Sequence, residues 1–208
     1  EMIYFNTDYM AGAHPKVMER LVHTNAEQTV GYGSDDYTER AKELVKQACG
    51  ASDARVYFLV GGTQTNATVI DGLLAHHEGV MAAENGHINV HETGAIEATG
   101  HKVCTAYAHD GKLTPALVES VVKSHSSEHM VHPRLVYISN TTEVGTIYRK
   151  TELEALRRCC DEHNLFLFLD GARLGSALTS PENDLTLEDL ASRSELTKGF
   201  LSQLERNL

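Results

Sequence analysis

Positive charge is what this chain has least of: 18 Lys and Arg stand against 29 Asp and Glu in 208 residues, a formal net charge of −11. A nucleic-acid footprint needs a basic face, so no such partner is expected. The acidic residues form no blocks of like charge, which reads as a solvated surface favouring solubility. Long apolar runs are missing too. The longest are five residues, far short of the roughly 20 that span a bilayer, so no membrane partner is expected either. The opening Glu1-Met2-Ile3-Tyr4-Phe5 has no basic region and no extended apolar segment, and no signal peptide is readable. Cysteine is sparse and lacks CxxC spacing: Cys49, Cys104 and the vicinal pair Cys159-Cys160. A bridge between vicinal cysteines is strained, so reduced thiols in a cytoplasmic protein are the expectation. Internal repeats and low-complexity tracts are also lacking.

What is present is enough apolar residue, 41%, for a real core. Short apolar segments alternate with helical ones, the signature of βαβ units and a mainly parallel sheet with helices on both faces. The expected strands are Ala54–Val60, Gly79–Ala83, Lys102–Tyr107, Leu135–Ser139 and Leu165–Asp170. Helices are expected at Pro15–Val22, Asp35–Ala48, Thr65–His76, Ala116–Ser124 and Glu152–His163. Thr114-Pro115 supplies an N-cap and a first-turn proline for the fourth of these. Thr151 with Glu154 suggests a capping box for the fifth. From Ala191 to Leu208 the α/β pattern stops and a polar helical tail begins.

The most informative stretch is Leu165-Phe166-Leu167-Phe168-Leu169 followed by Asp170-Gly171-Ala172-Arg173. A buried strand here delivers a carboxylate and a guanidinium to its C-terminal end, the edge where open α/β sheets bind ligands. Burying both charges is costly unless each meets an opposite partner. Gly61-Gly62-Thr63-Gln64-Thr65-Asn66 opens a helix behind another apolar segment, a geometry in which backbone amides and the helix's positive end cradle an anion. It is neither a Walker loop nor a GxGxxG fingerprint, so nucleotide binding is disfavoured; a plain strand-to-helix turn is the bland alternative. Gly86-His87 and Asn140-Thr141-Thr142-Glu143 place further polar groups behind two more strands. His87-x3-His91-Glu92 and His125-x3-His129 have metal-compatible spacing but no obvious third ligand, and no metal is expected. Thr7-Asp8 and Tyr32-Gly33 lie where strand periodicity cannot place them.

Taken in order, Asn6-Thr7-Asp8, Tyr32-Gly33, Gly62-Thr63-Gln64-Thr65-Asn66, His87 with Glu92-Thr93-Gly94-Ala95, Asn140-Thr141 and Asp170-Gly171-Ala172-Arg173 resemble the low-specificity threonine aldolase and β-eliminating lyase family. These are pyridoxal 5'-phosphate enzymes of the aspartate-aminotransferase-like fold, and the resemblance runs over nearly the whole chain. It implies a large domain over residues 1–190, a tail over 191–208 and no C-terminal small domain. It further implies that Gly62, Thr63 and Gln64 hold the cofactor phosphate, that His87 stacks on the ring, and that Asp170 pairs with the ring nitrogen. Arg173 would grip the substrate carboxylate, with Thr7, Tyr32 and Asn140 close to the substrate.

The reaction implied is retro-aldol cleavage of a β-hydroxy-α-amino acid such as threonine to glycine and an aldehyde. A homodimer or homotetramer is implied as well, because the family completes its site with a neighbouring subunit. Two departures stand out. Better-known bacterial members carry a histidine where this chain has Thr142 and Glu143, which leaves His87, Glu143 or a water as the β-hydroxyl base. The Schiff-base lysine is matched locally by Lys198 in Thr197-Lys198-Gly199, yet no apolar strand precedes it. A catalytically inactive, truncated relative and a different pyridoxal-phosphate β-eliminating lyase are the alternative readings.

Overall fold

The computed structural model describes Tyr4, Thr7 and residues 10–192. The chain divides into two compact units, Glu1–Glu39 and Arg40–Leu208. Within the first, α1 (Pro15–Thr24) starts with proline at its first position, and His14 Nδ1 accepts the amide of Lys16 at 3.2 Å. None of its residues is buried. Helix α2 (Asp36–Ala48) starts behind Asp35, whose carboxylate takes the Thr38 amide at 2.9 Å and hydroxyl at 2.7 Å. Gly50, at φ +60°, ends it in the left-handed conformation that glycine adopts without penalty.

The second unit is built on four parallel strands: β1 (Glu78–Ala83), β2 (Val103–Ala106), β3 (His132–Ser139) and β4 (Phe166–Asp170), in the order β2-β1-β3-β4. Around them run α3 (Gly62–Leu73), the short α4 (His87–Val90) and α5 (Ala95–Ala98), then α6 (Pro115–Ser124), α7 (Lys150–Glu162), α8 (Leu174–Thr179) and α9 (Leu187–Ser192). Successive side chains alternate between two cores. Val80, Ala82, Leu135, Tyr137 and Phe168 pack with Ile70 and Leu74 of the α3 region. Met81, Val136, Ile138, Leu167 and Leu169 pack with Val118, Val121, Leu156 and Cys160 of α6 and α7. Burial of both faces is why these strands read as unbroken apolar runs. Leu135 is wholly buried, so Leu135→Ala is expected to cost about 2–5 kcal/mol, measured by urea denaturation.

The expected parallel sheet with helices on both faces is therefore present, with one strand fewer than its sequence suggested. Ala54–Val60 is neither strand nor helix and carries no ladder among the described residues. Val56 is buried, whereas Tyr57 is 62% and Val60 87% exposed. The start of α7 is also shifted. Arg149 rather than Thr151 precedes it, and the Arg149 amide donates to Glu152 Oε2 at 2.7 Å. Thr114 does cap α6, its Oγ1 accepting the Leu117 amide at 3.4 Å. No helix of the described residues is long and apolar enough to cross a membrane.

Candidate functional site

The strand order sets the location. From β1 the chain steps outward to β2 and then returns to the other side of β1 for β3, so the direction of winding reverses between β1 and β3. Above the C-terminal ends of strands at such a switch point a crevice opens. His87 follows β1, Asn140 follows β3, and Asp170 closes β4 in register with Ser139.

Asp170 is 9% exposed. Its Oδ2 accepts the Tyr137 hydroxyl at 2.6 Å and Asn66 Nδ2 at 3.2 Å, and its Oδ1 accepts the Ala172 amide at 2.9 Å. All three donors are neutral. No Lys, Arg or His lies within ion-pair reach of it among the described residues. The Tyr137 phenol is driven well above its ordinary titration range by burial, and further by the adjacent Asp170 charge. It therefore stays a donor. A buried carboxylate held by neutral donors suits a cationic ligand group.

Asn66 reaches this carboxylate from the second turn of α3 and also donates to Glu92 Oε1 at 2.7 Å. Glu92, 2% exposed, pairs in turn with His87 Nδ1 at 2.7 Å. That hydrogen bond is the main cause lifting the His87 pKa above 6.5, opposed by burial and aided by the charges of Glu92, Glu143 and Asp170. Gly86 supports the placement of His87, since a Cβ there would sit 3.0 Å from the Ala83 carbonyl oxygen.

At the start of α3, Gly61 is extended and no side chain caps the helix. The first intrahelical bond is Thr65 N–H to Gly61 O at 3.0 Å, so the amides of Gly62, Thr63 and Gln64 precede the helical ladder. Thr63 and Gln64 are exposed, and Gln64 Oε1 accepts the Val60 amide at 3.1 Å. A Cβ on Gly61 would meet nothing within 4 Å. This twelve-residue helix thus presents an open, anion-accepting end.

Arg173 stands at the start of α8, with Nη1 3.3 Å from Glu143 Oε2. Asn140 is buried; its Oδ1 accepts the Tyr148 amide at 3.2 Å, while its Nδ2 has no hydrogen-bond partner among the described residues. Thr7 and Tyr32 belong to the first unit and are exposed, Tyr32 at φ +63°. Lys198 lies outside the described residues. A cavity of about 360 Å³ among the described residues is lined by none of the expected site residues. It lies among α7, α9 and the sheet, against Ile138, Leu153, Leu167 and Leu190.

Tyr137 was not among the expected site residues, and Asn66 and Glu92 were only parts of motifs without a role. Each nevertheless left a mark in the sequence. Tyr137 carries the one hydroxyl in Leu135-Val136-Tyr137-Ile138, and Asn66 is an amide on a helix face that also carries Ile70.

The beta-eliminating lyase family model matches residues 5–192. The low-specificity L-threonine aldolase of Pseudomonas aeruginosa is 33% identical over 175 residues, covering 83% of this chain and 50% of that protein. The enzyme of the same name from Saccharomyces cerevisiae is 27% identical over 166 residues, 78% of this chain and 42% of that one. Among solved structures, a threonine aldolase of Leishmania major matches with TM-score 0.88 and 53% identity, over 90% of this chain and 55% of the other. This chain spans about half the length of the curated relatives it matches.

Proposed function

This chain belongs to the beta-eliminating lyase family, and from that premise we propose that it serves a pyridoxal-phosphate-dependent lyase. The reaction is cleavage of a β-hydroxy-α-amino acid, threonine or allo-threonine, to glycine and an aldehyde. The observation that carries this reading is Asp170, an almost fully buried carboxylate bonded, among the described residues, only to neutral donors at the ligand-binding edge of the sheet. A protonated pyridine nitrogen is the partner such a group fits. Two further features fit the same cofactor: the open N-terminal end of α3 suits a phosphate, and Asn140 Nδ2, without a hydrogen-bond partner among the described residues, is a spare donor beside β3.

When bound, pyridoxal phosphate supplies an electron sink for the pair left on the substrate α-carbon as the Cα–Cβ bond breaks. The protein's part is to bind, orient and move protons. Asp170 keeps a proton on the ring nitrogen by stabilising the cation. The amides of Gly62, Thr63 and Gln64 would hold the phosphate, and the His87 ring would pack against the cofactor ring. Arg173 fixes the α-carboxylate with its planar fork, which sets the orientation of the bond to be broken. Thr7, Tyr32 and Asn140 line the substrate side in the same proposal, and Lys198 is the attachment lysine. The β-hydroxyl proton leaves to a base as the hydroxyl carbon becomes the aldehyde carbon, and a proton is returned to the α-carbon to give glycine.

Purified protein given pyridoxal phosphate is expected to turn yellow and to release glycine and acetaldehyde from threonine. Lys198→Ala should abolish the colour. Failure to take up the cofactor at all would overturn the proposal, and colour persisting unchanged in Lys198→Ala would remove that lysine's role.

A further inference from the structure

The chain of contacts His87 Nδ1–Glu92 Oε1–Asn66 Nδ2–Asp170 Oδ2, with steps of 2.7, 2.7 and 3.2 Å, ties the two groups expected on the cofactor ring to one buried carboxylate that the proposed chemistry does not use. We propose that Glu92, braced by Asn66, is a positioning residue that fixes a proton on His87 Nδ1 and so leaves Nε2 as the nitrogen that exchanges protons in the site. The inference rests on the reading of this crevice as a cofactor site, but the relay itself is a property of the protein alone.

An ionised carboxylate only accepts hydrogen bonds. Glu92 Oε1 already receives Asn66 Nδ2–H, so the short contact to His87 requires the imidazole to be the donor. With Nδ1–H so engaged, the neutral ring has its lone pair on Nε2, and the charged ring has a second N–H there. The same second-contact logic sets the tautomer of histidines that bind metals or serve as bases. Burial makes the arrangement strict. Glu92 is 2% exposed and its Oε2 lacks a partner among the described residues. Its charge is therefore poorly compensated unless His87 carries a proton.

Asn66 adds geometry. Its single Nδ2 serves both carboxylates, holding Glu92 and Asp170 apart on one donor without letting the two anions meet. Among the described residues, the charged or titratable groups facing His87 are Glu92, Glu143 behind β3, Asp170 at the end of β4, and the His91 ring at 5.6 Å. Three of these four are carboxylates, so the surroundings favour the imidazolium. Because the shift is upward from 6.5, the His87–Glu92 pair stabilises the fold fully below about pH 6.5. That contribution is lost as pH rises through the raised value.

The test is a side-chain ¹⁵N titration of the histidines in cofactor-free protein, with the His87 signals assigned by their disappearance in His87→Asn. In the wild type, His87 is expected to titrate above 6.5 and to settle at high pH as the Nδ1–H tautomer. In Glu92→Gln its midpoint is expected to fall by about one unit or more, since burial then acts with one carboxylate fewer. A midpoint that moves by less than about a quarter of a unit overturns the proposal. So does an Nε2–H tautomer in the wild type, a measurement that needs no variant and survives any folding defect in Glu92→Gln. These readings are separate from cofactor uptake. Protein that shows the expected titration but binds no pyridoxal phosphate would keep the relay and refute the cofactor reading.

Discussion

Asp170→Asn is expected to lower threonine cleavage by about a hundred- to a few thousandfold while leaving the cofactor-free fold close to its normal stability. In the free protein the carboxylate is held by Tyr137, Asn66 and the Ala172 amide, all neutral donors. Asparagine keeps one oxygen to accept from them and removes a buried charge, so the net effect on melting is small. In the loaded protein the balance reverses. Removing one partner of a buried ion pair strands the other at about 3–5 kcal/mol, and that range corresponds to roughly two to four decades in rate. Two measurements check the split: the melting temperature with and without pyridoxal phosphate, and the rate of glycine release. Equal melting gains on cofactor addition for wild type and Asp170→Asn would remove the assigned partnership with the ring nitrogen.

How much of this was legible in the chain follows from which forces are local. β1, β3 and β4 announced themselves because both of their faces are largely buried, which fills the strand with apolar residues whatever its neighbours are. Ala54–Val60 has the same composition but pairs with nothing among the described residues. Composition reports a segment's suitability for a ladder; the partner that completes it is a distant stretch of chain that no local pattern encodes. The strand-end residues His87, Asn140 and Asp170 were readable for a topological reason. Parallel strands all deliver their C-terminal ends to one edge, so polar residues placed there converge. The wiring beneath them was not readable. The Asn66 bond to Glu92 spans 26 positions and that to Asp170 spans 104, and a side-chain hydrogen bond leaves no periodic trace in sequence. The α7 cap shows the same limit on a smaller scale. Thr151 and Glu154 satisfy the spacing rule, yet the helix begins earlier because the Arg149 amide finds Glu152.

Arg173→Lys is expected to raise the KM for threonine by about ten- to a hundredfold with a smaller change in kcat. A guanidinium offers a carboxylate two parallel N–H bonds in one plane, whereas an ammonium offers a point charge on a flexible stem. Loss of one charge-assisted bond is worth about 1.5–3 kcal/mol, which is one to two decades in affinity. Glu143 sharpens the test. Its Oε2 lies 3.3 Å from Arg173 Nη1, so a substrate carboxylate approaching the guanidinium also approaches this second anion. The contact is long and Arg173 is about a third exposed, which screens the repulsion. Glu143→Gln should therefore lower KM by only about two- to fivefold, opposite in sign to Arg173→Lys. If Glu143 were instead the β-hydroxyl base, the same substitution would collapse kcat and leave KM nearly unchanged. The direction of the KM change in Glu143→Gln thus separates an anion that competes for the arginine from one that takes the proton.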